Sequence, residues 1–276
     1  MFRRRFKLSH NNRRFKLSHN NRRFKLSHNN VGDGVYAVNK NLRLIPVSEA
    51  DNTCIAVALV YDRHRIMIEK NEDSNQSYKD ASAGYNRSHL FYWGGRGMDQ
   101  PGITNYNKLY ESDTSGYLKS ELGSYYRLLV DNNSILGTPN LPANITTWTS
   151  GALSDWDVKT NSEVLKEVTE GGGEGYNGYV TIGRVLNVFL ASSDAKGYND
   201  WYIPSCPQLS LIWMNLNSVN NALSAIGGQQ FNTSNTYWSS SERSANYAWR
   251  LDFSGGLVVH RENIISFRVR FIRDIK

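Results

Sequence analysis

Apolar and polar residues alternate most regularly near the C-terminus of this chain. Residues 248–253 repeat with the two-residue period of a strand that has one buried face. The apolar positions are Trp249, Leu251 and Phe253, and the polar positions are Arg250 and Asp252. The Ser-Gly-Gly break at 254–256 predicts a hairpin turn into a returning strand at 257–261. A last alternation at 267–272 completes a predicted three-strand meander, whose polar side should face water.

Upstream of this meander the patterns predict strands first and helices later. Four extended segments are expected at 34–38, 42–46, 54–60 and 65–68, the third buried and the fourth its hairpin partner. Helical periodicity then follows, which makes the predicted class α+β. The expected helices are 155–170 with Asn161 or Ser162 as N-cap, 181–192, one capped by Ser205 or Cys206, and 218–226.

Composition divides the chain into a basic arm and a mildly acidic remainder. Residues 4–30 are three identical copies of RRFKLSHNN, and residues 1–30 carry seven Arg and three Lys but no acid. The formal charge of +7 therefore becomes −3 for residues 31–276, with 22 basic and 25 acidic residues. Such a balance argues against a nucleic-acid-binding surface on the globular part. The arm itself is interpreted as a solvated extension or an assembly anchor, with a nucleic-acid-binding tail as the less favoured reading.

Cysteine count and hydropathy exclude several other classes of protein. With only Cys54 and Cys206, the chain has neither a disulfide framework nor a cysteine-based zinc cluster, although one bridge stays open. The longest apolar run, at 54–61, is far shorter than the roughly 20 residues that a membrane-spanning helix needs. The basic N-terminus lacks an apolar core, so no secretory signal is expected.

The outward positions of the predicted meander mix charged, aromatic and aliphatic residues without order. An ordinary solvated face would be dominated by Lys, Glu, Ser and Thr. We interpret these thirteen residues, called the binding set below, as ligand-binding residues. They are Arg243, Asn246, Tyr247, Arg250, Asp252, Ser254, Val259, His260, Arg261, Ile264, Ile265, Ser266 and Phe267.

The segment 237–276 closely resembles the variable region of phage and bacterial proteins that are diversified by retroelements. The matching frame comprises Tyr237–Glu242, Ala248-Trp249, Phe253, Gly256, Val258 and Arg268–Ile275. Further matches are the GVYAV opening at 34–38, the Trp-Gly-Gly segment at 93–95 and Trp201–Ser205. Residues 105–154 form a long, loop-rich insertion.

The resemblance implies a C-type-lectin-like fold for residues 31–276, with 237–276 as its variable region. In this family, mutated template adenines give codons that cannot encode Lys, Gln, Glu, Met or Trp, and the binding set contains none of these five. The implied function is receptor binding at a phage tail tip, for attachment to a protein or glycan on a bacterial host. A bacterial surface adhesin of the same class is the alternative. Other tail proteins are expected to contact the arm, and trimers are common at tail tips.

Neither catalysis nor a cofactor is expected. A Ser/His/Asp arrangement of Ser239–Ser241, His260 and Asp252 lacks the strained G-x-S-x-G turn that exposes a nucleophile. Sulfatase-modifying oxidases share the implied fold and use a cysteine pair, but Cys54 falls in a predicted buried strand. The calcium motifs of sugar-binding C-type lectins are absent, so neither a metal nor calcium-dependent sugar binding is carried over.

Overall fold

The computed structural model of the chain describes most of residues 31–275. The described residues are 31–61, 64–72, 90–95, 97, 99–106, 116–117, 152–156, 158–168, 170–171 and 179–275. The predicted arm at 1–30 lies outside them, as does all of the predicted insertion except 105–106, 116–117 and 152–154. Among the helices of the described residues, none combines the length and the apolar character needed to cross a membrane.

The larger sheet joins the start of the domain to its end. Its strands are β1 (Gly34–Val38), β2 (Leu44–Pro46), β3 (Ala56–Tyr61), β4 (His64–Glu69) and β11 (Ile272–Asp274). All neighbours are antiparallel, in the order β11-β4-β3-β1-β2. The four N-terminal strands expected from the sequence are confirmed, including the tight β3–β4 hairpin.

A second sheet carries the C-terminal hairpin. It contains β5 (Gly116–Tyr117), β8 (Thr236–Ser244), β9 (Tyr247–Asp252) and β10 (Leu257–Glu262), in the order β5-β10-β9-β8. The predicted strands at 248–253 and 257–261 are confirmed as β9 and β10. A two-stranded ladder, β6 (Glu170–Gly171) with β7 (Tyr179–Val180), lies apart from both sheets.

Within the described residues, four α-helices cover the sheets: α1 (Val158–Glu167), α2 (Ile182–Ala191), α3 (Cys206–Met214) and α4 (Leu216–Ala225). The same residues contain single 3-10 turns at Val47–Glu49, Ala152–Ser154 and Ser193–Ala195. Antiparallel sheets with segregated helices confirm the α+β class.

Two of the expected helix starts are confirmed, and one is wrong. The Thr181 hydroxyl accepts a hydrogen bond from the Arg184 N–H at 3.2 Å and caps α2. Ser205 is the N-cap of α3, and its N–H donates to the Gln208 side chain at 3.2 Å. Asn161 and Ser162, expected as caps, instead lie buried inside α1, which already begins at Val158. The Asn161 side chain donates to Asp155, just before the helix, and the Ser162 hydroxyl donates to the Ile203 carbonyl oxygen.

The prediction that the final strand pairs within the meander is also wrong. After β10 the chain leaves the second sheet: Phe267 bridges to Phe91, Arg268 bridges to Tyr237, and β11 pairs with β4. Arg270, expected to face water, is fully buried. Alternation alone indicates an extended segment but not the strand that accepts its hydrogen bonds, so the third strand beside β9 and β10 is β8.

Strand β3 of the larger sheet is buried on both faces, with only Tyr61 at its end half-buried. On one side, α3 and α4 pack against Val57, Leu59 and the β9 side chains in a first apolar cluster. On the other side, residues of α1 and α2 pack against Ala58, Val60 and Trp238 in a second cluster. This double burial explains why β3 is a continuous apolar run rather than an alternating one.

Candidate functional site

The candidate site is built on the hairpin of β9 and β10. Trp249 and Leu251 are buried in the first apolar cluster. The Trp249 indole N–H donates to the Tyr106 carbonyl oxygen at 2.7 Å, so the polar atom of the ring is satisfied. Burying an aliphatic side chain such as Leu251 contributes about 1.5–3 kcal/mol. The hairpin is therefore held by its inner residues, whatever side chains lie outside.

A glycine and a tryptophan fix the turn between these two strands. Gly256 has a φ of +70°, and a Cβ there would lie 2.3 Å from ring carbons of Trp213 in α3. The Trp213 indole N–H donates to the Phe253 carbonyl oxygen at 3.2 Å. Only glycine fits this conformation and this close approach, so α3 sets the position of the hairpin turn.

The Trp-Gly-Gly segment anchors the other end of β10. The N–H groups of Trp93 and Gly94 donate to the Asn263 carbonyl oxygen at 2.9 and 3.3 Å. In return, the Asn263 side-chain amide donates to the Gly95 carbonyl oxygen at 2.7 Å. These hydrogen bonds tie residues 93–95 to the end of the hairpin.

Most of the binding set lies where solvent reaches it. The exposed members are Asn246, Ser254, Arg261 and Ile265. The half-buried members are Arg243, Tyr247, Arg250, Asp252, Val259, His260, Ser266 and Phe267. Ile264 is 6% exposed and belongs to the core, because 263–265 form a turn in which strand alternation no longer applies. The ligand-binding role of the other twelve stays a prediction.

The binding set does not occupy one face of the sheet, contrary to expectation. His260 lies opposite Trp249 in the ladder, and Tyr247 lies two residues away on that same face. Arg250, opposite Val259 and Trp238, lies on the other face. Both faces are partly covered by the two apolar clusters, so the accessible side chains come from both sides of the hairpin.

On the first face, a cation and three rings form a continuous row. The Arg243 guanidinium lies 5.5 Å from the Tyr247 ring centroid. The His260 ring meets Tyr247 edge-on at 5.4 Å and Trp249 edge-on at 5.5 Å. Burial lowers the pKa of His260 below its usual 6.5, and the positive charges of Arg243, Arg261 and Arg250 lower this pKa further.

On the second face, Arg250 is stacked on an aromatic ring. Its guanidinium lies 4.5 Å from the Phe267 ring centroid, and Phe267 packs edge-on against Trp238 at 4.9 Å. Arg250 Nη1 also donates to the Thr236 hydroxyl at 2.9 Å. Burial and the nearby Arg261 lower the pKa of Arg250, while Asp252 opposes that shift.

A buried ion network next to the site was missed by the sequence reasoning. Glu72 accepts hydrogen bonds from Arg268 and from the Tyr237 hydroxyl. Arg270 Nη1 lies 3.8 Å from Glu72, and the Arg270 guanidinium donates to the Glu69, Lys70 and Gln229 carbonyl oxygens. The sequence features that could have indicated this network were the alternating arginines of the C-terminal segment and the acidic end of β4.

A second buried carboxylate, Glu242, has no cation beside it among the described residues. Its oxygens accept only long hydrogen bonds, both 3.4 Å, from the Gln100 N–H. Burial, and then the charge of Asp99, raise its pKa to about 8. Glu242 is therefore largely protonated at neutral pH.

The residues considered for catalysis have structural contacts. The Ser239 hydroxyl donates to the Trp249 carbonyl oxygen at 2.8 Å, and the Ser241 hydroxyl accepts from the Cys206 N–H at 3.0 Å. Cys54 and Cys206 are both buried free thiols, and burial raises the pKa of Cys206 well above its usual value. Across the described residues, no cluster of three His, Cys, Asp or Glu side chains could hold a metal ion.

Comparison with known proteins shows a distant structural likeness. No family model matches the chain, and no curated protein matches it. A fimbrial protein from Bacteroides ovatus superposes with a TM-score of 0.45 and 15% identity over 89% of this chain. This chain spans about half of that protein's length (49%). At this TM-score, the likeness does not bear on what the chain does.

Proposed function

We propose that this chain is a receptor-binding protein with a C-type-lectin-like domain and a surface diversified by a retroelement. The observation that carries the proposal is the separation of roles within 237–276. Frame residues such as Trp249 and Phe253 are buried, whereas twelve of the thirteen members of the binding set are exposed or half-buried. A surface of this kind accepts new side chains without losing its support.

Energetics support the same separation. Substitutions at exposed positions typically change stability by no more than about 0.5 kcal/mol, whereas truncation of a buried aromatic residue costs about 3–5 kcal/mol. The hairpin is anchored at its turn by Trp213, and at its far end by the Trp93 segment. Diversification confined to the outer side chains would therefore change the partner and preserve the fold.

We assign the protein to a phage tail tip, where it attaches the virion to a receptor on the bacterial surface. The basic arm at 1–30 would bind other tail proteins, and the resemblance favours a homotrimer. A bacterial surface adhesin of the same diversified class is the second candidate, since its binding domain would need the same frame. Proteomics of purified virions separates the two, because only the first predicts the chain among virion proteins.

Sequencing this locus across a natural population tests diversification directly. Substitutions are expected to concentrate in the twelve accessible members of the binding set and to coincide with adenines of a neighbouring template repeat. Frame positions such as Trp238, Trp249 and Gly256 should remain constant. Substitutions spread evenly over 237–276, or the absence of neighbouring reverse-transcriptase and template-repeat genes, would overturn the proposal.

A further inference from the structure

Three arginines and one histidine of the binding set form a cluster, called the cationic edge below: Arg243, Arg250, Arg261 and His260. They come from β8, β9 and β10, and the three guanidinium groups all act electrostatically on the His260 imidazole. The group stands out because residues 31–276 carry a formal charge of −3. Charge of one sign, gathered on an otherwise acidic domain, points to a partner of the opposite sign.

Among the described residues, no carboxylate is paired with the arginines of this edge. Within the described part of the chain, none of the three forms an ion pair, whereas Arg268, Arg270 and Arg273 all do. The nearest acid of the hairpin, Asp252, accepts hydrogen bonds from the Ser254 N–H and hydroxyl at 2.9 and 2.7 Å.

Two of these guanidinium groups are held in place before any ligand arrives. Arg243 lies over Tyr247, and Arg250 lies over Phe267 with one nitrogen bonded to Thr236. A stacked guanidinium loses less conformational freedom on binding and presents a planar fork of donors. That fork matches a carboxylate group, which it can bind through two parallel hydrogen bonds.

The same stacking leaves little apolar area for a protein partner. Protein interfaces are centred on aromatic residues and arginines that become desolvated in well-packed pockets. Here arginines cover the Tyr247 and Phe267 rings. The large hydrophobic residues exposed in the described region are Met214 and Ile265, and only Ile265 belongs to the binding set. A hydrated, negatively charged polymer fits this surface better than a folded protein does.

We infer that the cationic edge binds the carboxylate groups of an acidic polysaccharide. The inference rests on the proposed receptor-binding function and names the chemical class of its receptor. Recognition would depend on guanidinium and imidazole groups, without calcium. Several carboxylates along one polymer would engage cations on both sides of the hairpin together, which raises the overall affinity above that of a single contact.

Polygalacturonate, a polymer with one carboxylate on each sugar, is a suitable probe, and neutral dextran is its uncharged counterpart. Binding of the full chain to each immobilised polymer is measured at about 0.15 M salt, where surface charges farther apart than about 8 Å are largely screened. Every protein in the series carries Gln in place of the ten basic residues of 1–30, so that the arm cannot hold the polyanion.

The test variant is Arg243→Gln with Arg261→Gln, and the matched control is Arg43→Gln with Arg184→Gln. None of the four arginines forms an ion pair within the described part of the chain. The control residues are both exposed, Arg43 just before β2 and Arg184 in α2. The test variant should bind polygalacturonate at least ~10-fold more weakly, since charge-assisted hydrogen bonds contribute about 1.5–3 kcal/mol each. The control should stay within about twofold of the parent.

Three results would overturn the inference: no binding of the parent to polygalacturonate, equal losses in test and control variants, or equal binding to dextran. Equal or tighter binding to polyglutamate would assign the edge to acidic protein segments instead, and would also overturn it. None of these outcomes affects the population sequencing, which does not depend on ligand charge. If the population sequencing shows diversification and the polymer-binding assay fails, the polysaccharide is excluded as the ligand and the proposed receptor-binding function is retained.

Discussion

Two groups of arginines, fewer than 30 residues apart along the chain, are used in opposite ways. Arg243, Arg250 and Arg261 lie at the surface of the hairpin without a carboxylate partner in the described region. Arg268 and Arg270 instead reach Glu72 and Glu69 and are half-buried and fully buried. The residue type is the same, so the difference comes from the elements packed around each side chain.

Within one C-terminal segment, one group of arginines stabilises the fold and the other is available for recognition. The buried arginines connect β8, the end of β4 and the segment before β11, and their charges are balanced where water is excluded. Such ions are strongly coupled to folding, because removal of one partner leaves the other unpaired in a low dielectric. The surface arginines are coupled mainly to whatever binds there. Changes to the two groups should therefore affect different measurements.

The largest effect is expected from Arg270→Ala. It removes the donor to three carbonyl oxygens and leaves Glu72 and Glu69 short of a positive charge. Loss of one partner of a buried pair costs about 3–5 kcal/mol, and urea unfolding at pH 7 should show a loss of this size. Arg243→Ala serves as the control and should cost less than about 1 kcal/mol. Equal losses for the two variants would erase the distinction between the groups.

A second prediction concerns the buried carboxylate that lacks a cation. The unfolded chain releases the Glu242 proton near its ordinary pKa of 4.5, whereas the folded protein retains it up to about pH 8. The folded state thus binds more protons between these values, and stability falls as the pH rises from 4.5 to 8. Glu242→Gln, which keeps the acceptor for the Gln100 N–H, should raise the free energy of unfolding at pH 8 by roughly 2–4 kcal/mol.

The pH dependence distinguishes this cause from general stabilisation. At pH 5 the wild-type carboxyl is already protonated in the folded protein, so the gain from Glu242→Gln should be much smaller there. Urea unfolding of both proteins at pH 5 and pH 8 gives the comparison. An equal gain at the two pH values would mean that Glu242 is not neutral in the folded state.

A smaller change in stability is expected from Arg250→Ala combined with His260→Ala. Both side chains are half-buried, and the bond from Arg250 to Thr236 lies between side chains of intermediate exposure. The free energy of unfolding should change by less than about 1 kcal/mol, while binding to polygalacturonate weakens. A stability loss approaching that of Arg270→Ala would place these side chains in the core rather than in the binding set.

The smallest effect is a pH dependence of binding at the cationic edge. The pKa of His260 lies below 6.5 in the free protein, and a bound carboxylate would raise it. Binding is therefore coupled to proton uptake, and affinity for polygalacturonate should increase as the pH falls from 8 to 5.5. A gain of about threefold is expected for one partly exposed pair. His260→Gln should abolish this gain, and an unchanged gain would assign it to another group.

Local pattern was sufficient for most of the elements that support the site. The alternation at 248–253 and the Gly-Gly break predicted β9, β10 and the turn between them, because strand pairing across a short turn involves only neighbours in the chain. Thr181 and Ser205 marked helix starts for the same reason. The prediction of Asn161 as a cap was wrong, since α1 begins at Val158 and the Asn161 side chain donates to Asp155 from inside the helix.

The sequence alone determined where the hairpin lies, which of its residues form the buried frame, and which positions carry the mixed side chains of the binding set. Only the tertiary structure decided that those positions divide between two faces, that Ile264 is core, and that Arg270 is buried while Arg250 is not. The physical reason is distance along the chain. Arg270 bonds to Glu69, 201 residues earlier. No local pattern at either position indicates the partner that offsets the cost of burying the charge.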